Sequence, residues 1–156
     1  LYDSLVEVTE ELWDKVLNVN LRGPFRLSAL FATRMAESEA GGSIINVSST
    51  AAVSPSPVEV PYGTAKAGLN NLTLSLARTY APKVRVNCIM PGPFLTDISK
   101  AWPESMHEGL RNMVPLGRGG QPNEIVGAAL YFASPASAFT TGAVLKVDGG
   151  AAVPPA

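Results

Sequence analysis

Residues 43–48 read Ser-Ile-Ile-Asn-Val-Ser, and residues 84–89 read Val-Arg-Val-Asn-Cys-Ile. Both runs are short, apolar and rich in β-branched side chains. Gly41 and Gly42 precede the first, and Pro91 and Gly92 follow the second, so each reads as a buried strand. Between them Ala65, Leu69, Leu72, Leu76 and Tyr80 recur at helical spacing, which predicts a helix over 62–80 that Pro82 ends. A helix over 123–133 and a strand over 143–147, closed by Asp148, Gly149 and Gly150, come next. Strand, helix, strand, helix, strand is the order of parallel α/β units joined by crossovers.

Working outward, Thr9 can cap a helix, because its hydroxyl can accept a free backbone N–H, and Glu10 and Glu11 place negative charge at the positive end of the helix dipole. Leu12, Val16 and Val19 then repeat at helical spacing. Gly23 and Pro24 interrupt the pattern, and Leu27, Leu30, Phe31 and Met35 resume it, which predicts one long kinked helix over 9–37. Residues 54–61 read as a Pro-rich loop and the stretch from Gly92 to Pro122 as a long Pro- and Gly-rich loop. The tail 153–156 is expected to be disordered. There are no internal repeats.

Composition limits the function classes. The chain has 156 residues with 12 Lys plus Arg against 13 Asp plus Glu, a net charge of -1. A single domain of this length buries roughly 68 to 70% of its unfolded surface. Without a basic excess or a run of stacking aromatics, nucleic acid is excluded as a partner. The charged fraction of 16% is below the roughly 25% of ordinary soluble chains, so part of the surface is expected to face other protein. The longest apolar stretches, such as 127–133, are far shorter than the roughly 20 residues of a membrane span. One cysteine, Cys88, cannot form an internal disulfide, so the default setting is cytoplasmic. A start at Leu1, with no initiator Met, leads to the expectation that the chain is part of a longer polypeptide.

Tyr62 and Lys66 are four residues apart, so they share one face at the start of the predicted second helix. A phenol is a poor acid or base at neutral pH, and a nearby ammonium favours the phenolate. Taken alone, Tyr-x-x-x-Lys also describes an aromatic beside a solvated lysine. Ser49 supplies the context: it stands at the end of the first strand, thirteen residues before Tyr62, where ligands of open parallel sheets bind. Spacing favours Ser49 over Ser48, although a serine there also serves as a turn former. His107, the only histidine, has no second ligand or carboxylate at a metal or triad spacing and reads as a surface residue. Cys88 reads as inert packing, and no metal site is expected.

Six segments together resemble the C-terminal part of the short-chain dehydrogenase/reductase family. They are Asn18-Val-Asn20-Leu-Arg-Gly-Pro-Phe, Ile45-Asn-Val-Ser-Ser49, Tyr62-Gly-Thr-Ala-Lys66, Val86-Asn-Cys-Ile-Met-Pro91-Gly92-Pro-Phe-Leu-Thr96, Pro115-Leu-Gly-Arg-Gly-Gly-Gln-Pro122 and Val147-Asp-Gly-Gly150. The general character is similar to the 3-oxoacyl-carrier-protein reductases and the sugar or secondary-alcohol dehydrogenases of that family. The resemblance implies an α/β fold, the C-terminal half of a Rossmann-type doubly wound parallel sheet, with residues 1–156 as the catalytic part of one such domain, truncated at its N-terminus. It implies a nicotinamide dinucleotide, NAD or NADP, and a small ketone or secondary alcohol as substrate. It implies a catalytic tetrad of Asn20, Ser49, Tyr62 and Lys66, with Tyr62 the acid/base, Ser49 steadying the carbonyl and Lys66 holding the nicotinamide ribose. Pro91, Gly92, Phe94 and Thr96 would join Tyr62 and Lys66 in contacting the cofactor, and residues 98–114 would form a lid over the substrate.

Asn20 carries a separate physical argument. In an α-helix the N–H of residue 24 would bond the carbonyl of Asn20, and Pro24 has no N–H. That carbonyl is then free to hold water, as in the proton relay implied by the resemblance. The Gly-rich fingerprint that receives a pyrophosphate is missing: Gly117-Arg-Gly119-Gly120 follows no strand, and Pro122 stands where the third glycine would fall. The reading is therefore a dehydrogenase or carbonyl reductase. The alternative is a catalytically inert fragment that acts as an oligomerisation or assembly module, with the two long helices packing subunits into a homodimer or homotetramer.

Overall fold

In the computed structural model the described residues are Tyr2 and 4–152; the tail expected to be disordered lies outside them. Three strands, β1 (Gly42–Val47), β2 (Val84–Pro91) and β3 (Val144–Val147), form one parallel sheet in the order β1-β2-β3. The helices are α1 (Glu10–Leu17), α2 (Gly23–Glu37), α3 (Val60–Tyr80), α4 (Glu104–Met113) and α5 (Val126–Ala133). This is the expected α/β class, and among the described residues no helix is long and apolar enough to cross a membrane.

The central strand β2 shows how the sheet is covered on both faces, because its side chains alternate. Val84, Val86 and Cys88 turn to one side, where Val84 and Val86 pack with Ala32 of α2 and with Leu76 and Ala77 of α3. Burying an aliphatic side chain of this size contributes about 1.5–3 kcal/mol. Arg85 and Asn87 turn to the other side. The Arg85 guanidinium donates to the Phe132 carbonyl of α5 at 2.9 Å and to Ser137 Oγ at 2.7 Å. Asn87 donates to the Thr140 carbonyl at 2.9 Å and accepts the N–H of Ala143 at 3.0 Å, which leads the chain into β3. β1 and β3 are the edge strands of this sheet, and Val47 of β1 is 54% exposed.

The helix predicted over 9–37 is continuous, with Thr9 Oγ1 accepting the N–H of Leu12 at 3.1 Å as its cap. Its interruption is a π-helical turn, Asn18–Arg22, in which the N–H of Gly23 bonds the carbonyl of Asn18 five residues back. A one-residue slip is how the ladder passes Pro24. Helix α3 starts two residues before the expected Tyr62, with Pro61 in its first turn, where no N–H is needed. The first turn of the helix expected over 123–133 is a 3-10 turn, Pro122–Ile125, ahead of α5.

One expectation is corrected: residues 92–122 are not one long loop. A 3-10 turn, Asp97–Ala101, and helix α4 lie within them. In α4 a single side chain, Leu110, is buried, and Arg111 pairs with Glu104 at 2.9 Å. So short an apolar stripe among prolines and glycines leaves little periodic signal.

Candidate active site

The site residues lie just past the strand ends. Beyond β1, the N–H of Ser48 continues the ladder to the carbonyl of Ile89 at 2.8 Å, and its hydroxyl donates to the main-chain carbonyl of Lys66 at 3.0 Å. Ser48 is buried and serves α3. Ser49 opens the 3-10 turn Thr50–Ala52, where its Oγ accepts the N–H of Ala51 at 3.2 Å. It is half-buried, and its hydroxyl proton is left to donate to a ligand.

Tyr62 and Lys66 follow one turn apart in α3. Lys66 Nζ lies 5.6 Å from the centroid of the Tyr62 ring and donates to the carbonyl of Val47 at 2.9 Å. Burial lowers the pKa of Lys66 from its ordinary value. Burial raises that of Cys88 in turn, so the thiol stays protonated in the core, in keeping with its reading as packing.

Two close approaches set α3 against the other segments. A Cβ at Gly63 would lie 3.0 Å from the carbonyl oxygen of Ala51, so the first turn of α3 rests on the turn that follows Ser49. A Cβ at Gly68 would lie 3.0 Å from the Leu21 side chain, so the next turns of α3 rest on the π-helical turn of Asn20. The Asn20 side chain donates to the Val16 carbonyl at 3.0 Å along its own helix. Asn20, Ser49, Tyr62 and Lys66 thus belong to three segments that meet on α3.

The other cofactor candidates stand at the end of β2 and past it. The N–H of Gly92 donates to the carbonyl of Val147 at 3.0 Å, and a Cβ on it would meet Asp148 Cβ at 2.6 Å and Cα at 2.8 Å. Only glycine fits so close to Asp148. Pro91 is the last residue paired with β3. Phe94 forms an isolated parallel bridge with Gly120, and Thr96 is exposed ahead of Asp97–Ala101. Thr96 and His107 line an open cleft of about 680 Å³. His107 is less exposed than expected because it packs on Trp102, with ring centroids 6.0 Å apart. Among the described residues no group of three His, Cys, Asp or Glu could hold a metal ion.

Two supports escaped the sequence reading. Ser28 Oγ donates to Asn46 Oδ1 at 3.3 Å, and Asn46 Nδ2 donates to Thr73 Oγ1 at 3.0 Å, a buried polar link from α2 through β1 to α3. An asparagine inside an apolar strand was its only sequence signal. The second is the ion pair of Arg118 with Glu124 beside Phe94.

A phenol, a hydroxyl and an ammonium beyond the ends of parallel strands, on a sheet covered by helices on both faces, define a Rossmann-type α/β protein with a polar site. The family described as enoyl-(acyl carrier protein) reductase matches residues 1–152, and the chain belongs to the short-chain dehydrogenases/reductases. It is 37% identical over 147 residues to a 3-oxoacyl-[acyl-carrier-protein] reductase of Thermotoga maritima, covering 94% of this chain and 59% of that protein. It is 35% identical over 152 residues to an NAD-dependent glycerol dehydrogenase of Listeria innocua, covering 96% of this chain and 59% of that enzyme. The fold superposes with a TM-score of 0.90 on a gluconate 5-dehydrogenase from Burkholderia cenocepacia solved with NADP and tartrate, at 31% identity, covering 97% of this chain and 60% of that one. The chain therefore spans less than two thirds of the relatives it matches.

Proposed function

We propose that this chain is the catalytic part of a single Rossmann-type domain in an NAD- or NADP-dependent oxidoreductase that interconverts a ketone and a secondary alcohol. The observation that carries the reading is Lys66, whose ammonium sits at the end of β1 with the Tyr62 ring 5.6 Å away, on a helix that rests on the turn after Ser49. The donor set suits the nicotinamide and ribose end of a dinucleotide: an ammonium for ribose hydroxyls, a threonine hydroxyl and the backbone near Phe94 for a carboxamide. No Gly-rich turn for the pyrophosphate stands among the described residues. The relative named for NAD and the structure solved with NADP support the cofactor class without choosing between its two forms.

Nicotinamide chemistry supplies or accepts one hydride at the substrate carbon. The protein handles the matching proton. Tyr62 gives its phenolic proton to the carbonyl oxygen during reduction and takes it back from the alcohol during oxidation, so one hydride and one proton balance each turnover. Ser49 donates a hydrogen bond to that oxygen and holds it as charge develops. Lys66 orients the ribose, its ammonium 5.6 Å from the centroid of the Tyr62 ring. The main-chain carbonyl of Asn20, which Pro24 cannot serve, holds a water that returns protons towards Lys66.

The same reading sets the protein in the cytoplasm as a homodimer or homotetramer. Its cysteine is free and buried, and Leu17, Leu21 and Phe25 with Gly68 and Leu72 line an open groove that a second copy can cover. The test is oxidation of NADH and NADPH by the full protein with a set of ketones, 3-oxoacyl thioesters and keto sugars among them. Turnover with at least one cofactor is expected. The absence of both turnover and nicotinamide binding would overturn the reading and leave an assembly module in its place.

A further inference from the structure

Residues 118–124 close on themselves. The Arg118 guanidinium meets both oxygens of Glu124, each at 2.7 Å, and also donates to the Gly119 carbonyl at 3.1 Å. The same carboxylate accepts the N–H of Gln121 at 2.6 Å. Inside this ring lies Gly120, whose carbonyl accepts the N–H of Leu95 at 2.7 Å and whose N–H donates to the Pro93 carbonyl at 2.9 Å. Those two bonds flank Phe94, which lines a cavity of about 100 Å³ together with Arg118 and Glu124.

An isolated two-bond bridge between irregular segments is weak unless one side is already ordered. A planar guanidinium on a carboxylate orders its segment well, since the fork loses little freedom for each bond formed. The side chains are 52% and 39% exposed, so the pair adds little to global stability and its effect is local. We propose that Arg118 and Glu124 are positioning residues: their pair holds Gly120 against Pro93 and Leu95 and so fixes the backbone at Phe94 for the nicotinamide end of the cofactor. This rests on the assignment of Phe94 and Thr96 as cofactor contacts.

The experiment measures, by calorimetry on the full protein, the affinity for NADH or NADPH and for the matching ADP-ribose, which has the same nucleotide and ribose but no nicotinamide. The proteins compared are the unsubstituted one, Arg118→Gln, Glu124→Gln and the charge swap Arg118→Glu with Glu124→Arg. Each single substitution is expected to weaken dinucleotide binding about tenfold while ADP-ribose binds as before, and the swap is expected to recover part of the loss. If a glutamine variant does not fold, Arg118→Lys keeps the charge without the fork and should show the same selective loss. Unchanged dinucleotide affinity, or equal losses for both ligands, would overturn the positioning role alone. If the unsubstituted protein gains nothing from the nicotinamide over ADP-ribose, the cofactor assignment of Phe94 and Thr96 fails, and the positioning role fails with it.

Discussion

The ammonium of Lys66 is anchored 2.9 Å from the carbonyl of Val47, the last residue of β1. Nineteen residues separate the two in sequence, and the bond fixes the charge at the strand end rather than in solvent. Ser48, the next residue, returns the contact by donating to the Lys66 carbonyl. The strand end and the start of α3 are therefore tied together by two hydrogen bonds of opposite direction, the fixed geometry on which the proposed proton transfer relies.

Replacing Tyr62 by Phe removes the ionisable oxygen and leaves the ring in place. Turnover is expected to fall by at least a factor of about a hundred, the lower range for a general acid/base, with dinucleotide affinity little changed. Steady-state rates with both cofactors, together with calorimetric affinities, check this. Activity within tenfold of the unsubstituted enzyme would remove Tyr62 from its role.

Lys66→Met should harm two quantities at once, because in the proposed function one ammonium holds the ribose and stands beside the Tyr62 ring. We expect the Michaelis constant for the cofactor to rise and kcat to fall. A variant with an unchanged Michaelis constant would show that Lys66 does not hold the cofactor.

At Gly92 even a methyl group is too large, since the nearest atoms are Cβ and Cα of Asp148 at 2.6 and 2.8 Å. Gly92→Ala must push the ends of β2 and β3 apart, at a cost of about 1–3 kcal/mol. For a domain of this size each kcal/mol lowers Tm by roughly 2–4 °C, which thermal denaturation can resolve. An unaltered Tm would mean that the two segments yield freely.

Arg118, by its hydrogen bonds, and the N–H of Gln121 lower the Glu124 pKa from 4.5 to about 2. A depressed carboxylate pKa stabilises the fold above the unfolded value, and that stability is lost as pH falls through the folded value. Because the pair is exposed, the Tm difference between the unsubstituted protein and Glu124→Gln should be small; it should be present above pH 4.5, shrink between pH 4.5 and about 2, and vanish below. A difference that stayed constant across this window would contradict the pairing.

Some of the molecule could be read directly from the chain. Ser43 to Ser48 and Val84 to Ile89 declare themselves as strands because each is a short, largely apolar, β-branched run beside glycine or proline breaks, and the α3 stripe follows from 3.6 residues per turn. Tyr62 and Lys66 were legible for the same reason: one helical turn fixes their proximity. Helix α4 was not, because one buried side chain, Leu110, sets its inner face.

Tertiary structure alone decided what those residues touch. Ser48 and Ser49 are adjacent and chemically alike, yet one is committed to the Lys66 carbonyl and the other opens the turn beneath Gly63. The link from Ser28 through Asn46 to Thr73, and the seat of Gly120 beside Phe94, join residues 18 to 27 positions apart. Local periodicity reaches only a few residues along a chain. Contacts of that span depend on strand register and helix placement, which the packing of the whole sheet sets at once.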